Sequence, residues 1–367
     1  MKLSVCMIVK NEEKMLEKTL PSLKQAVDEI ILVDTGSSDG TIRVAEKYGA
    51  EVFYFKWKDD FSAARNASLE RATGDWIIWI DADEFVKAED LETLKKVLEA
   101  SKEDAYYLPI YDCKFGDTSG SSAFYFRLKV FRNHKGIHFQ RAFNEQVHAA
   151  SGELLGTSAF LPNVRINHWG KNLSPEKMKD KKQRNFRILK ECLEQNPNDP
   201  YYHLLLADNS QDIGDKETAL LEYKKVAGIS PEGPLAATAH LRRARILVNL
   251  KKYEEAYADL KETVRLESWN AEAYNLIGVI YLSVGNIDKA IQVLEHSLKL
   301  QAPKDSIMGF DAVQYTYLPH FLLGNAYLMQ KDNKKALSEF RAAYKFNANA
   351  GLKAKIEKLE KEAEVNG

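Results

Sequence analysis

Short apolar runs alternate with segments of helical spacing through the first third of the chain. The runs of strand length are residues 3–9, 29–33, 51–55 and 76–80. The segments with apolar residues three to four positions apart are residues 12–25, 41–48 and 62–71. Strands that alternate with helices predict a mostly parallel sheet with helices on both faces. Ligands bind beyond the carboxyl ends of such strands, so functional residues are expected just after each of the four runs.

The pattern changes after residue 106. Residues 106–111, 123–132 and 145–149 are three further predicted strands. From residue 174 onward almost the whole chain has helical spacing. We therefore predict three parts: an α/β domain over residues 1–171, a linker helix over 172–198 and an all-α domain over 199–367.

The helical half contains an internal repeat. Two copies share small and large residues at identical offsets: Gly278, Tyr281, Ala290, Leu294, Ser297 and Gly324, Tyr327, Ala336, Phe340, Ala343. Looser copies precede them at residues 244–260 and 207–231. These positions resemble the tetratricopeptide repeat, in which small residues let two antiparallel helices approach closely. The pattern predicts a repeat solenoid, with a plain helical bundle as the alternative.

Composition adds several limits. The chain has 367 residues, 45% of them hydrophobic, which suits two packed domains. A net charge of −1 provides no basic field for nucleic acid, and no apolar run is long enough to span a bilayer. Three widely spaced cysteines rule out a full disulfide framework. The apolar start lacks a cleavage site of small residues, so we expect a reduced, cytoplasmic protein.

Two carboxylates follow the most apolar strand. Asp81 and Asp83 come directly after residues 76–80 and are separated by one residue. Acids this close repel each other unless a cation lies between them. Their hard oxygen ligands suit Mg²⁺ or Mn²⁺, which can also bind a diphosphate. The alternative is an ordinary solvated acidic turn.

A second apolar strand also ends in an acid. Asp34 follows residues 29–33 and precedes a turn of glycine and serine that leads into a helix. At the edge of a sheet its carboxylate can accept a hydrogen bond from a nucleobase N–H. Ser38 and Asp39, by contrast, are explained by capping of the next helix.

Four motifs lie in order along the first 90 residues: MIVKNEE (7–13), VDTGSSDGT (33–41), FSAARN (61–66) and DADE (81–84). Their identity and order resemble family 2 glycosyltransferases, which implies a Rossmann-like GT-A fold and a nucleotide-sugar donor. With the repeat half added, the chain resembles bacterial two-domain members, including peptide S-glycosyltransferases of the glycocin (sublancin) type.

The resemblance implies roles for individual residues near the donor. Val9 and Asn11 would line a uridine pocket, and Asp34 would hold the uracil. Arg65 would lie near the base or diphosphate, with a surface ion pair as the alternative. Asp81 would bind the ribose, or the metal through water, and Asp83 would ligate the metal directly.

Further roles concern the metal, the proton and the leaving group. His168 matches a histidine that closes the catalytic domain of related enzymes, and a neutral imidazole is a suitable Mn²⁺ ligand. Glu145 is the first choice for the base that deprotonates the acceptor, and His148 is the second. The alternative for Glu145 is an exposed strand carboxylate. Arg127 and Arg132 are candidates to neutralise the leaving diphosphate, or are surface residues.

Together these features predict an inverting, metal-dependent hexosyltransferase. The donor would be a UDP-sugar and the acceptor a serine or threonine hydroxyl or a cysteine thiol on a polypeptide. The repeats would bind that acceptor or a second copy of the chain. Two other classes remain: a transferase of lipopolysaccharide core or another envelope glycan, and a non-catalytic repeat scaffold.

Overall fold

The computed structural model describes residues 1–118, 124–149, 151, 158–170, 175–301 and 311–366. The chain divides into two compact units: Met1–Ile188, and Leu189–Asp305 with Asp311–Gly367. The predicted end of the first domain at residue 171 lies outside the described residues. Within them, no helix combines the length and the apolar character that crossing a membrane requires.

The first unit is built on a mixed sheet. Its strands are β1 (Leu3–Val9), β2 (Glu29–Asp34), β3 (Glu51–Tyr54), β4 (Trp76–Trp79), β5 (Glu84–Val86), β6 (Ala105–Asp112), β7 (Phe124–Arg132), β10 (Ser158–Phe160) and β11 (Ile166–His168). Their order is β3-β2-β1-β4-β7-β6-β11-β5, and β10 pairs with β6. Strands β1 to β4 are parallel, whereas β7 is antiparallel to both of its neighbours. A separate hairpin consists of β8 (His138–Gln140) and β9 (Gln146–His148).

Four helices pack against this sheet: α1 (Glu13–Ala26), α2 (Thr41–Lys47), α3 (Phe61–Leu69) and α4 (Ala88–Glu99). A fifth helix, α5 (Pro175–Gln195), extends past the last residue of the first unit. Helix α1 forms because Leu16, Leu20 and Leu23 fall on one face, and all three are fully buried in the core below β1. Helix α4 follows the same rule with Leu91, Leu94 and Leu98, although the sequence analysis did not predict it.

The predicted order of elements is confirmed for the first four strands and the first three helices, with bounds shifted by at most two residues. The strands predicted at residues 106–111 and 123–132 are also present, as β6 and β7; residue 123 lies outside the described residues. Apolar periodicity therefore predicted the strands that precede Asp34 and Asp81, but not β11, which carries His168.

The second unit consists of paired helices. They are α6 (Pro200–Asp212), α7 (Lys216–Ile229), α8 (Pro234–Asn249), α9 (Tyr253–Leu266), α10 (Ala271–Ser283), α11 (Ile287–Ser297), α12 (Tyr317–Met329), α13 (Asn333–Phe346) and α14 (Ala350–Asn366). A Cβ atom on Gly278 would lie 2.6 Å from Leu294, and one on Gly324 would lie 2.5 Å from Phe340. The small residues of the repeat thus do allow close approach of the two helices, as predicted.

Candidate active site

The loops after β1 and β2 are joined by hydrogen bonds at the carboxyl edge of the sheet. Backbone N–H groups of Gly36 and Ser37 donate to the Asp34 carboxylate at 2.9 and 3.0 Å. The Asn11 side chain accepts from the backbone N–H of Ser38 at 2.7 Å, and the Asn11 N–H donates to the Ser37 hydroxyl at 2.9 Å. Asn11 has a left-handed φ of 56°, which asparagine tolerates better than most residues. The two loops therefore form one polar ledge.

Two of the residues assigned to the uridine pocket are buried within this ledge. The exposed fraction is 3% for Val9 and 2% for Asp34. Val9 packs in the core, and its carbonyl accepts from the N–H and the hydroxyl of Thr35 at 2.9 and 3.0 Å. A nucleotide bound at this loop would therefore contact atoms next to Val9 and not the buried Val9 side chain.

Arg65 connects α3 to the strand end that carries the two aspartates. Its Nε donates to Glu145 at 2.5 Å and its Nη2 donates to Asp81 at 2.6 Å. The guanidinium carbon lies 4.3 Å from the centre of the Trp79 ring, which adds a cation–π contact. The third nitrogen, Nη1, is buried and has no hydrogen-bond partner among the described residues. Arg65 thus holds two carboxylates and retains a donor for a further group.

Lys129 and Glu84 form a buried ion pair beneath the Asp81 turn. The Lys129 side chain is fully buried, and its Nζ lies 2.6 Å from Glu84 Oε2. That same oxygen accepts the Asp81 N–H at 2.9 Å. Burial raises the pKa of Glu84 and lowers the pKa of Lys129, in both cases against the attraction of the partner. The pair fixes the backbone from which Asp81 and Asp83 project.

Three cations surround the Trp79 ring. Arg127 lies 4.7 Å and Lys129 lies 3.5 Å from the ring centre, in addition to Arg65. Burial acts to raise the pKa of Asp81, but Arg65, Lys129 and Arg127 outweigh it and hold this pKa well below its usual range. Asp81 is therefore ionised at neutral pH and is surrounded by positive charge.

Asp83 faces His168, which β11 places beside the end of β6. The Asp83 Oδ2 lies 3.6 Å from His168 Nε2, and the other ring nitrogen, Nδ1, lies 2.8 Å from the Asp112 carboxylate. Burial opposes protonation of the ring, yet the two carboxylates raise the pKa of His168 to about 10. A positive charge is therefore favoured between Asp83 and His168, either a proton on Nε2 or a cation that displaces that proton.

Asp83 and His168 fit a divalent cation whose remaining ligands come from outside the protein. A carboxylate oxygen and an imidazole nitrogen converge at a separation that one ion can bridge, and a carboxylate on Nδ1 directs Nε2 toward such an ion. In the described part of the chain, no group of three or more histidine, cysteine, aspartate or glutamate residues could hold a metal. The protein therefore offers two ligands there, and phosphate oxygens and water would complete the shell.

Both candidate bases belong to the β8–β9 hairpin: Glu145 lies just before β9, and His148 lies on β9. Glu145 precedes β9, has a side chain that is 6% exposed, and is held by Arg65. The residue before it, Asn144, has a left-handed φ of 51° and its side chain accepts from Arg127 at 3.4 Å. His148 lies on β9, directly across from His138. Glu145 is therefore joined to Asp81 through Arg65, and its role as a base stays a prediction.

Arg132 is not brought to this site. Arg132 lies opposite Trp76, the first residue of β4, whereas Asp81 lies beyond the other end of that strand. Its guanidinium donates to the backbone carbonyls of Glu103 and Ser101 at 3.0 and 2.7 Å. These bonds commit the side chain to the amino end of β4, so we do not retain it among the donor-binding residues.

The contacts of β7 explain this correction and one omission. The Arg132 guanidinium lies over Trp76, 4.4 Å from the ring centre, whereas Arg127 and Lys129 lie over Trp79. The pairing of β7 with β6 skips Lys129, a β-bulge that interrupts the alternation of side chains, so the period of two does not predict which way Lys129 faces. Asp112 was also missed, because only the pairing of β6 with β11 brings it opposite His168.

Comparison with known proteins agrees with this architecture. Residues 4–123 match the family model described as Glycosyl transferase family 2. Residues 170–315 match the model described as Tetratricopeptide repeat-like domain. Both domains that the motifs and repeats predicted are therefore present.

Curated relatives match each kind of domain. A TPR repeat-containing protein of Synechococcus elongatus is 40% identical over 167 residues, which is 45% of this chain and 40% of that protein. The SPbeta prophage-derived glycosyltransferase SunS of Bacillus subtilis is 31% identical over 223 residues, which is 59% of this chain and 51% of SunS. The chain thus aligns with about half, or less, of the length of these relatives.

Solved structures show a partial likeness to the chain. The crystal structure of S. aureus TarS 1-349 in complex with UDP-GlcNAc aligns with 73% of this chain and 91% of that chain, at 17% identity and a TM-score of 0.42. This likeness is too low to support a statement about ligands. From the family models, the chain carries a glycosyl transferase family 2 domain followed by a tetratricopeptide repeat-like domain.

Proposed function

We propose that the protein transfers a hexose from a UDP-sugar to a hydroxyl or thiol of a polypeptide, with inversion at the sugar carbon and with Mg²⁺ or Mn²⁺ bound. The observation that carries the proposal is the 3.6 Å approach of Asp83 and His168 next to a cluster of three cations at the carboxyl edge of the sheet. That edge is where α/β sheets bind their ligands. The family 2 model over residues 4–123 supports transfer of a sugar.

In this proposal Asp83 and His168 hold the divalent ion, and Asp112 fixes the ring of His168. The ion supplies charge stabilisation for the departing diphosphate. Arg127 and the remaining donor of Arg65 add positive charge on the same side, where preorganised donors stabilise the charge that develops in the transition state. Asp34 and Asn11 form the ledge on which the uridine would lie.

The acceptor proton goes to Glu145 in this proposal. Arg65 joins Glu145 to Asp81, so the base would be fixed relative to the turn that carries Asp83. A positioned carboxylate of this kind contributes about 10²–10⁴-fold to such a step. His148 is the second candidate, and replacement of each residue in turn separates the two.

The repeats supply the argument for a polypeptide acceptor. Solenoids present extended surfaces that suit extended chains, and the combination of domains resembles peptide S-glycosyltransferases of the sublancin type. We further propose the predicted domain boundaries at residues 171 and 198, and either acceptor binding or self-association through the repeats.

A UDP-release assay tests the proposal directly. The full chain is incubated with a panel of UDP- and GDP-sugars and Mn²⁺, with EDTA as the metal-free arm. We expect release from one UDP-sugar, loss of release with EDTA, and loss of about 10³-fold or more in Asp83→Ala. Asp104→Ala is the matched control, because Asp104 pairs with Lys135 at 2.6 Å and with Arg132 at 3.6 Å, near the amino end of β4.

The acceptor arm uses peptides that contain cysteine, serine or threonine, and an envelope glycan. Sugar transfer to a peptide, detected by mass spectrometry, supports the proposal, whereas transfer only to the glycan would replace the polypeptide acceptor. Full activity of Asp83→Ala in EDTA would refute the metal-dependent mechanism.

A further inference from the structure

Gly170 occupies the space next to the two proposed metal ligands. It directly follows the segment that carries His168, and it is buried. A Cβ atom at this position would lie 2.2 Å from Asp83 Oδ2 and 2.5 Å from His168 Nε2. Gly170 is not among the residues with a left-handed φ, so its backbone does not itself require glycine. The feature that requires glycine here is space.

The backbone around Gly170 is held in place. The N–H of Trp169 donates to the carbonyl of Asp83 at 2.8 Å, which connects this segment to the turn that carries the metal ligand. The Trp169 ring stacks on Phe85 with 5.2 Å between ring centres, and its Nε1 donates to the carbonyl of Asp117 at 3.1 Å. An added Cβ could not relieve its contacts by a shift of residue 170 alone.

We propose that Gly170 is a positioning residue that keeps the volume between Asp83 and His168 open for the divalent cation. This inference rests on the proposed function, since it concerns the ion of that site. The position of the missing Cβ is close to both ligand atoms, at distances near the lengths of about 2.0–2.6 Å over which protein ligands bind divalent ions. A side chain at residue 170 and an ion between the two ligands would therefore compete for one volume.

An alanine at residue 170 would displace the two proposed ligand side chains. The atoms that it would meet are the ends of two side chains, Oδ2 of Asp83 and Nε2 of His168, and these can rotate away. The chain would still fold, but the two ligand atoms would no longer converge. Gly170→Ala should thus weaken cation binding through these two side chains.

Cation binding is measured by Mn²⁺ titration of the full chain, with the free ion followed by electron paramagnetic resonance, with and without UDP. We expect Gly170→Ala to weaken binding at least tenfold, and we expect the same of His168→Ala. The matched control is Gly228→Ala, because a Cβ on Gly228 meets no atom within 4 Å. Its affinity should equal that of the native chain.

A second measurement needs no metal. The thermal midpoint of Gly170→Ala is compared in the native background and in an Asp83→Ala, His168→Ala background. The lowering of the midpoint should disappear when both side chains are absent, because the contacts under 3 Å that the described residues make with this Cβ are with them. An equal lowering in both backgrounds would show that Gly170 serves general packing and would overturn the inference.

The outcomes separate this inference from the proposed function. Mn²⁺ binding that depends on Asp83 and His168 but is unchanged in Gly170→Ala overturns the inference and leaves the function intact. If the native chain binds no Mn²⁺ even with UDP, the metal-dependent function and the inference fail together. Loss of binding in Gly170→Ala with native binding in Gly228→Ala supports both.

Discussion

The two units treat buried polar groups in different ways. In the sheet unit, charged side chains far apart in the sequence meet inside the protein: Lys129 with Glu84, and Arg65 with Glu145 and Asp81. In the repeat unit, histidine–carboxylate pairs recur at a constant spacing of 19 residues: His203–Glu222, His240–Asp259 and His320–Glu339. Each of these pairs joins the two helices of a single repeat.

The two arrangements differ in the free energy needed to desolvate their charges. A local pair repeated in successive helix hairpins stabilises each repeat in the same way, as nearest-neighbour architectures do. Charges gathered below the Asp81 turn are desolvated, and this cost is recovered only if every partner is present. The third repeat has Tyr274 in place of the histidine, and its ring packs on His296 with 4.8 Å between centres. A repeat can therefore exchange its pair, whereas we expect the charged cluster to lose stability when one member is replaced.

The largest expected effect is the loss of Lys129. In Lys129→Met, Glu84 keeps its burial and loses its cation, so we expect the sheet unit to lose roughly 3–5 kcal/mol of stability. Four of the five tryptophans lie in Met1–Ile188, so tryptophan fluorescence follows this unit, and circular dichroism at the helical band follows the repeats. Urea unfolding should show a shift mainly in fluorescence.

The double variant Lys129→Met, Glu84→Gln is the control for charge. Part of the lost stability should return, because the uncompensated carboxylate has been removed. A Lys129→Met protein with native stability would mean that the cluster resembles the repeat pairs, and the contrast between the units would disappear.

The next effect concerns Asp112, which contacts His168 but not the proposed ion. Asp112→Ala should weaken Mn²⁺ affinity about 10–100-fold, because the carboxylate that orients the imidazole is lost. Asp112→Asn keeps an oxygen acceptor and should lose less. The same Mn²⁺ titration measures both, and Asp104→Ala serves as the control carboxylate. Equal affinity in all three variants would show that His168 needs no partner to be oriented.

Prediction from sequence was accurate where a rule is local. Apolar spacing identified the first four strands, and residue offsets identified small repeat positions such as Gly324 at which paired helices approach closely. The site was predicted only in part, because Asp112 and Lys129 act through partners that strand pairing alone brings near. Arg132 was assigned by residue type, whereas strand pairing places it beside Trp76 at the amino end of β4. Long-range pairing therefore marks the limit of inference from one sequence.

A smaller effect is expected for overpacking in a repeat. Gly324→Ala places a Cβ against the buried ring of Phe340, which cannot rotate away easily, and should cost about 1–3 kcal/mol in the repeat unit. Gly278→Ala meets the more flexible Leu294 and should cost less. Circular dichroism during urea unfolding measures both, with Gly228→Ala as the control. A native midpoint for Gly324→Ala would mean that the helices can separate without cost.

The smallest expected effect depends on pH and concerns Glu29, which lies at the end of the sheet opposite the candidate site. Burial opposes ionisation of Glu29, but hydrogen bonds from Ser4, Thr73 and Lys2 lower its pKa from 4.5 to about 2. A carboxylate with a lowered folded pKa stabilises the protein above its unfolded pKa, and this contribution disappears as the pH falls toward 2. Glu29→Gln should therefore lose roughly 1 kcal/mol at pH 7 and progressively less below pH 4.5. Urea unfolding of both proteins across this range measures the difference, with the exposed Glu46→Gln of α2 as the control. A difference that stays constant with pH would show that Glu29 contributes packing instead of charge, as the apolar contacts of the repeats do.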